Sequence, residues 1–249
     1  MNRFFRHIVF DLDDTLLDTS GSLIPAAARR AIEAMLTVSG QREETGRAPV
    51  DVDSWLAKRN EILRRDPRAD VWLRLDGDEE IADIGRRAFF TYPVELMPDA
   101  ALRLTDGATE ILNWSRERAT LHLVTSGDAT TQNKKIERLG IASFFNSIQI
   151  VDATYSPAGP LRKRAAFQKI ADSNPGAVAS EMISIGNRVD TDLGAAKIIG
   201  WKTVWIRYGE HANLSPQRPE EIPDFEVPTL KDLLSIWWQQ FKLDDQWNV

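Results

Sequence analysis

The chain has 249 residues, enough for one large domain or for a core domain carrying an insertion. Hydrophobic residues make up 43% and charged residues 27%, the balance of a packed chain. The net charge of -6 leaves no global basic field to attract nucleic acid or an anionic membrane. There are no cysteines, which excludes disulfides and thiolate metal sites and fits a reducing compartment.

At the start, Arg3 and Arg6 precede a short apolar run, but Asp11, Asp13 and Asp14 end it too early for a secretory signal. No window approaches the roughly 18–20 apolar residues of a bilayer span. The expectation is a cytoplasmic protein with neither a nucleic acid nor a membrane partner. Five short apolar runs rich in β-branched residues, at 8–10, 121–125, 147–151, 182–185 and 203–206, read as buried parallel strands. Helical patterns at 130–139, 163–172 and 192–199 separate the last four. That alternation predicts right-handed βαβ crossovers and an α/β fold, a doubly wound, Rossmann-like parallel sheet.

Residues 20–98 have a different texture, with helical periodicity at 26–36, 54–64 and 79–90 and few strand signals. Charged joints containing Gly or Pro, at 41–49 and 65–68, separate these helices. The stretch is too long for one crossover and predicts an inserted α-helical cap subdomain. The division is then 1–19 with 99–249 for the core and 20–98 for the cap. After Arg207, a stretch with Pro216, Pro219, Pro223 and Pro228 leads to a final helix at 230–241, whose Trp237-Trp238 pair is expected to pack on the core.

In an open α/β sheet, ligands bind outside the carboxyl ends of the strands. Asp11 and Asp13 follow the first strand directly and, two residues apart in an extended segment, share one side. Such a pair suits a hard cation such as Mg²⁺, or one nucleophile and one general acid/base. The plainer alternative is an acidic turn with Asp14 or Thr15 as a helix N-cap. The second strand ends in Thr125-Ser126-Gly127, which can donate to a phosphate but is also ordinary turn chemistry. The fourth ends in Gly186-Asn187, with Asp190 and Asp192 close behind, either as site residues or as caps. Arg162, Lys163 and Arg164 bring positive charge to the same edge or begin a solvated helix.

With these motifs in order, the chain resembles the haloacid dehalogenase superfamily, in its phosphatase branch with a helical cap inserted after the first motif. The signature is Asp11-Leu12-Asp13-Asp14-Thr15-Leu16, then Thr125, then Lys163 four residues before Phe167, then the loop from Gly186 to Asp192. The resemblance implies a Mg²⁺-dependent phosphatase acting on a small phosphorylated metabolite. Asp11 would be the nucleophile that forms an aspartyl-phosphate, and Asp13 the proton donor and acceptor. Thr125, Ser126 and Lys163 would hold the phosphate. The metal would sit on Asp11, the Asp13 carbonyl and Asn187, while Asp190 and Asp192 orient water or Lys163. Asn187 departs from the family's usual Asp, and its uncharged amide predicts weaker metal binding. Asp13 favours a phosphatase over a 2-haloacid dehalogenase, whereas a phosphomutase uses the same core residues. Asn187 is also the one feature that favours a weakened binding or scaffold protein. In the cap, Trp55, Arg59 and Trp72 are candidates for substrate contact, although a Trp at helical spacing is more often core. His7, His122 and His211 show no ligand spacing and read as structural.

Overall fold

The computed structural model describes residues 5–42, 51–98, 101–153 and 162–246. Strands His7–Phe10 (β1), Thr120–Ser126 (β2), Ser147–Val151 (β3), Met182–Gly186 (β4), Lys202–Ile206 (β5) and Phe225–Val227 (β6) form one sheet. All its pairings are parallel, in the order β3-β2-β1-β4-β5-β6. The five expected strands are present. β6 is an addition, hidden from pattern reading because it has three residues, two of them exposed, between Pro223 and Pro228.

The sheet is buried on both faces, and side chains divide by the two-residue strand period. From β1, Ile8 and Phe10 join Leu121, Leu123, Ile183 and Ile185 against helices Ala108–Arg116 (α6) and Leu230–Gln246 (α10). Val9 joins Val124, Phe167 and Trp201 on the other face, under Arg164–Asp172 (α8) and Gly194–Ile198 (α9). Trp237 packs the last helix as expected, with ring centroids 5.8 Å from Trp114 and 6.5 Å from Phe5. Trp238 is 51% exposed and takes no part in that core. The predicted helix at 192–199 instead begins with a π-helical turn, Val189–Leu193, and then continues as α9. Such turns concentrate at functional sites.

β2 and β3 lie on one side of β1, and β4, β5 and β6 on the other. The order reverses at β1, so a crevice opens at its carboxyl end. Over that end, after the short helix Thr19–Ser22 (α1), stand Ile24–Arg42 (α2), Val52–Arg65 (α3), Val71–Asp76 (α4) and Glu79–Phe90 (α5). These four helices bury a separate apolar cluster that includes Ile32, Met35, Trp55, Trp72 and Ile81. Aspartates start the last three. Asp51, Asp70 and Asp78 accept backbone N–H groups of the first turn, which satisfies orphan donors and favours negative charge there. The six-residue α4 was too short to show a period in the sequence. α2 runs to Arg42, so most of the joint expected at 41–49 lies outside the described residues, as does the core–cap junction at residues 99–100. No described helix is long and apolar enough to cross a membrane.

Candidate active site

Asp11 is the first residue beyond β1, anchored by its N–H to the Ile185 carbonyl at 2.9 Å. The chain then turns sharply around Leu12, whose carbonyl accepts from the N–H groups of Thr15, Leu16 and Leu17. Buried Leu12, Leu16 and Leu17 pin that turn, and it carries Asp14 at φ 55°, a left-handed conformation that Asp tolerates better than most residues. The turn brings both carboxylates of the first motif to one cavity of about 180 Å³.

Lys163 Nζ lies 2.5 Å from Asp11 Oδ1 and 2.8 Å from Asp192 Oδ1, with all three side chains buried. Thr15 donates to Asp11 Oδ2 at 3.3 Å. Burial pushes Asp11 up, Lys163 pulls it down, and the charges of Asp192 and Asp13 tip the balance to about 7. Burial works against the Lys163 ammonium, but Asp11 and Asp192 hold its pKa above the usual value. Of the three basic neighbours, the structure thus selects Lys163 for the site, and Arg164 is exposed.

Asp13 accepts from Thr19 Oγ1 at 2.7 Å, Lys135 Nζ at 2.8 Å and Gln132 Nε2 at 2.8 Å. Burial raises its pKa, but Lys135 and the hydrogen bonds of Gln132 and Thr19 outweigh this and keep the carboxyl ionised. Sequence reading missed Gln132 and Lys135, both on Ala129–Leu139 (α7) and both buried. A signal was available. Positions 132 and 135 share a helical stripe with Ile136 and Leu139, so the pair puts polar groups on a buried face.

At the end of β2 the two expected phosphate ligands part. Thr125 is fully buried, and its Oγ1 accepts from Gln132 Nε2 at 2.6 Å. Ser126 lines the cavity beside Gly127, and its buried hydroxyl has no hydrogen-bond partner among the described residues. An orphan donor at a strand end invites an anionic ligand.

Beyond β4, Asn187 lines the cavity, and its carbonyl accepts from Trp205 Nε1 at 3.0 Å. No described residue hydrogen-bonds its side-chain amide. Asp192 folds back so that its Oδ2 accepts the Arg188 N–H at 3.0 Å, and Gly186 leaves room for it, since a Cβ there would collide with that carboxylate. Asp190 turns elsewhere. It pairs with Arg188 at 2.7 and 3.1 Å and faces Arg68 at 3.8 Å, outside the cavity lining. Burial opposes its ionisation, but Arg188 and Arg68 pull it down to about 2.

The cap contributes other residues than expected. Trp55 and Trp72 belong to the cap's own core and do not line the cavity. Arg59 is buried between the Trp72 and Phe89 rings, 5.6 and 5.8 Å from their centres, and binds Glu210 at 2.6 and 3.0 Å. The cap walls of the cavity are Leu23, Ile24, Phe89 and Phe90, and the loop after β5 adds Glu210 and His211. His211 therefore belongs to the site, with its pKa pushed down to about 3 by burial and Arg188. His7 and His122 are structural, stacked on each other 5.5 Å apart, and burial with His7 lowers His122 to about 4.

One link joins these parts. Asp14 accepts from Ser20 N and Oγ at 2.7 and 2.6 Å, and Ser20 Oγ accepts from Glu210 N at 3.0 Å. Burial pushes Asp14 up to about 6. Gly209, at φ 73°, lets the loop close on Asp14, because a Cβ there would overlap the Asp14 carboxylate. The cavity lining holds five carboxylates (Asp11, Asp13, Asp14, Asp192, Glu210) against three cations (Lys135, Lys163, Arg188). Among the described residues no three acidic or imidazole side chains gather as a metal cage, but the Asp11 carboxylate and the Asn187 amide at the strand ends offer oxygen donors, the type a hard divalent cation takes.

A doubly wound sheet with this constellation at its switch point defines a hydrolase of the haloacid dehalogenase type, and the chain matches the haloacid dehalogenase-like hydrolase family over residues 5–200. The chain belongs to that family, on its phosphatase side. It is 30% identical to the glyceraldehyde 3-phosphate phosphatase of Pyrococcus furiosus, over 94% of this chain and 93% of the relative. It is 23% identical to the mouse (Mus musculus) N-acylneuraminate-9-phosphatase, over 93% of each. Among solved structures, the magnesium-bound HAD-hydrolase YfnB of Bacillus subtilis shares the fold with a TM-score of 0.60 at 22% identity, over 94% of this chain and 99% of that one. The HAD phosphatase of Thermococcus onnurineus does so with a TM-score of 0.56 at 18% identity, over 93% and 97%.

Proposed function

We propose that this hydrolase cleaves small phosphomonoesters with Mg²⁺, through an aspartyl-phosphate on Asp11. The observation that carries the reading is the triad of Asp11, Lys163 and Asp192 at the end of the central strand, sharing one cavity with the unpartnered Ser126 hydroxyl. The phosphatase activities named for the similar proteins support it.

An Asp11 oxygen attacks phosphorus in line, and the bond to the leaving oxygen breaks as Asp13 gives that oxygen a proton. Water then attacks the phosphorus of the acyl phosphate, Asp13 takes its proton, and Asp11 returns as carboxylate. Lys135 holds Asp13 as a base, the form the second step needs, and the charge of a bound phosphoester raises its proton affinity for the first. Lys163, Ser126 and the Gly127 backbone neutralise and orient the phosphoryl oxygens. Asp11, the Asp13 carbonyl and Asn187 would hold the metal, whose charge lowers the repulsion between anionic nucleophile and anionic substrate. Residues 20–98 act as the cap that excludes water from this chemistry.

A panel of phosphorylated metabolites assayed with Mg²⁺ tests the reading. We expect turnover of at least one class of small monoester. Asp11→Asn should lose about 10⁴-fold or more in kcat while its unfolding transition stays in place. Retained activity in that variant removes Asp11 from the nucleophile's role.

A further inference from the structure

We propose that the leaving group of the substrate is an uncharged alcohol, and that the cavity selects against esters carrying a second anionic group. This deepens the phosphatase reading above and rests on it. The cavity divides by chemistry. Ser126, Gly127 and Lys163 surround Asp11 at the strand ends, where the phosphoryl group must lie. The rest of the lining is what a leaving group meets.

That remainder has two faces. The cap face is apolar, formed by Leu23, Ile24, Phe89 and Phe90. The core face carries Asp14, Glu210, His211 and Arg188. A carboxylate or second phosphate on the leaving group would need a free cation here, and the described lining offers none. Arg188 is held by both oxygens of Asp190, and Lys135 by Asp13. Glu210 is likewise held, by both terminal nitrogens of Arg59 behind it in the cap, so it lines the cavity as a hydrogen-bond acceptor and supplies no countercharge for an anion. Asp14 has hydroxyl and amide partners and adds a further acidic group. A hydroxyl group can donate to Glu210 while carbon atoms pack on the phenyl rings. An anion would meet like charge and apolar wall.

A size-matched pair reads this directly. Glycolaldehyde phosphate and 2-phosphoglycolate have the same carbon count and differ by aldehyde against carboxylate. With the wild-type chain and saturating Mg²⁺, kcat/KM should favour the aldehyde by at least tenfold. Equal or better turnover of 2-phosphoglycolate overturns the proposal. Phe90→Arg places a cation on the cap wall and should shrink the ratio by raising the carboxylate's kcat/KM. An unchanged ratio in a folded variant overturns the assignment of that wall to the leaving group. p-Nitrophenyl phosphate serves as a separate control. If no phosphomonoester, this one included, is turned over, the phosphatase reading itself fails, and the selectivity falls with it.

Discussion

The sheet edge and the cap build their functional surfaces in opposite ways. At the edge, Asp11, Ser126 and Asn187 each follow a buried strand within a residue or so, so backbone register alone brings them together. In the cap, the cavity walls Phe89 and Phe90 end a helix that packs inward through Ile81, Ala82 and Gly85, and their placement depends on the Arg59–Glu210 pair crossing to the core. A site made by register is robust to the packing around it. A wall made by docking is only as well placed as its contacts.

Lys163→Met tests the edge half of that contrast most severely. It leaves Asp11 and Asp192 without their shared cation, and kcat should fall by roughly 10²–10³-fold, as on removal of a main electrostatic stabiliser. Single-turnover rates at saturating substrate would show it, and a change confined to KM would break the contrast. Arg59→Ala tests the cap half. Removing one partner of a buried ion pair costs about 3–5 kcal/mol, and Glu210 is 22% exposed, so a loss of about 2–3 kcal/mol is expected. Denaturant unfolding gives that figure, and KM should rise more than kcat falls, because the chemistry at the strand ends is untouched.

Asn187→Asp sharpens the edge further. Adding a charged oxygen should lower the Mg²⁺ concentration for half-maximal activity by about tenfold, read from a metal titration. An unchanged midpoint would place the cation away from Asn187. The smallest effect is expected farthest from the site. Burial and His7 hold His122 at about 4 in the folded chain, below its ordinary 6.5. Its contribution is therefore complete above pH 6.5 and is lost as pH falls toward 4, about 1 kcal/mol by pH 5.5. His122→Gln should flatten the stability profile in that window while leaving activity at neutral pH unchanged.

What the sequence made legible follows the same division. Asp11, Asp13 and Lys163 could be read because strand ends and motif spacing fix their location, and the structure brings Asp11 and Asp192 to the Lys163 ammonium while Asp13 pairs with Lys135. Thr125 and Ser126 could be located but not ranked, since only the Gln132 side chain arriving from α7 decides which hydroxyl is already bonded. Asp190 and Asp192 look equivalent in the chain, yet the π-helical turn sends one to Arg188 and the other to Lys163. Trp55 and Trp72 lie in the cap core, as helical spacing favours, whereas the place of His211 in the cavity lining was not legible. Whether a cap or loop side chain faces the cavity depends on how two layers dock, and no periodicity within one element carries that information.

The contact between Gly209 and Asp14 sets a rule for anyone who would retarget this enzyme. The loop bearing Glu210 and His211 is the natural place to randomise for new leaving groups, but its first residue is spoken for by the turn that carries Asp11 and Asp13. A library that varies position 209 while keeping Asp14 will be filled with chains in which the turn carrying Asp11 and Asp13 is displaced. Productive variation fixes the glycine, or changes both positions together.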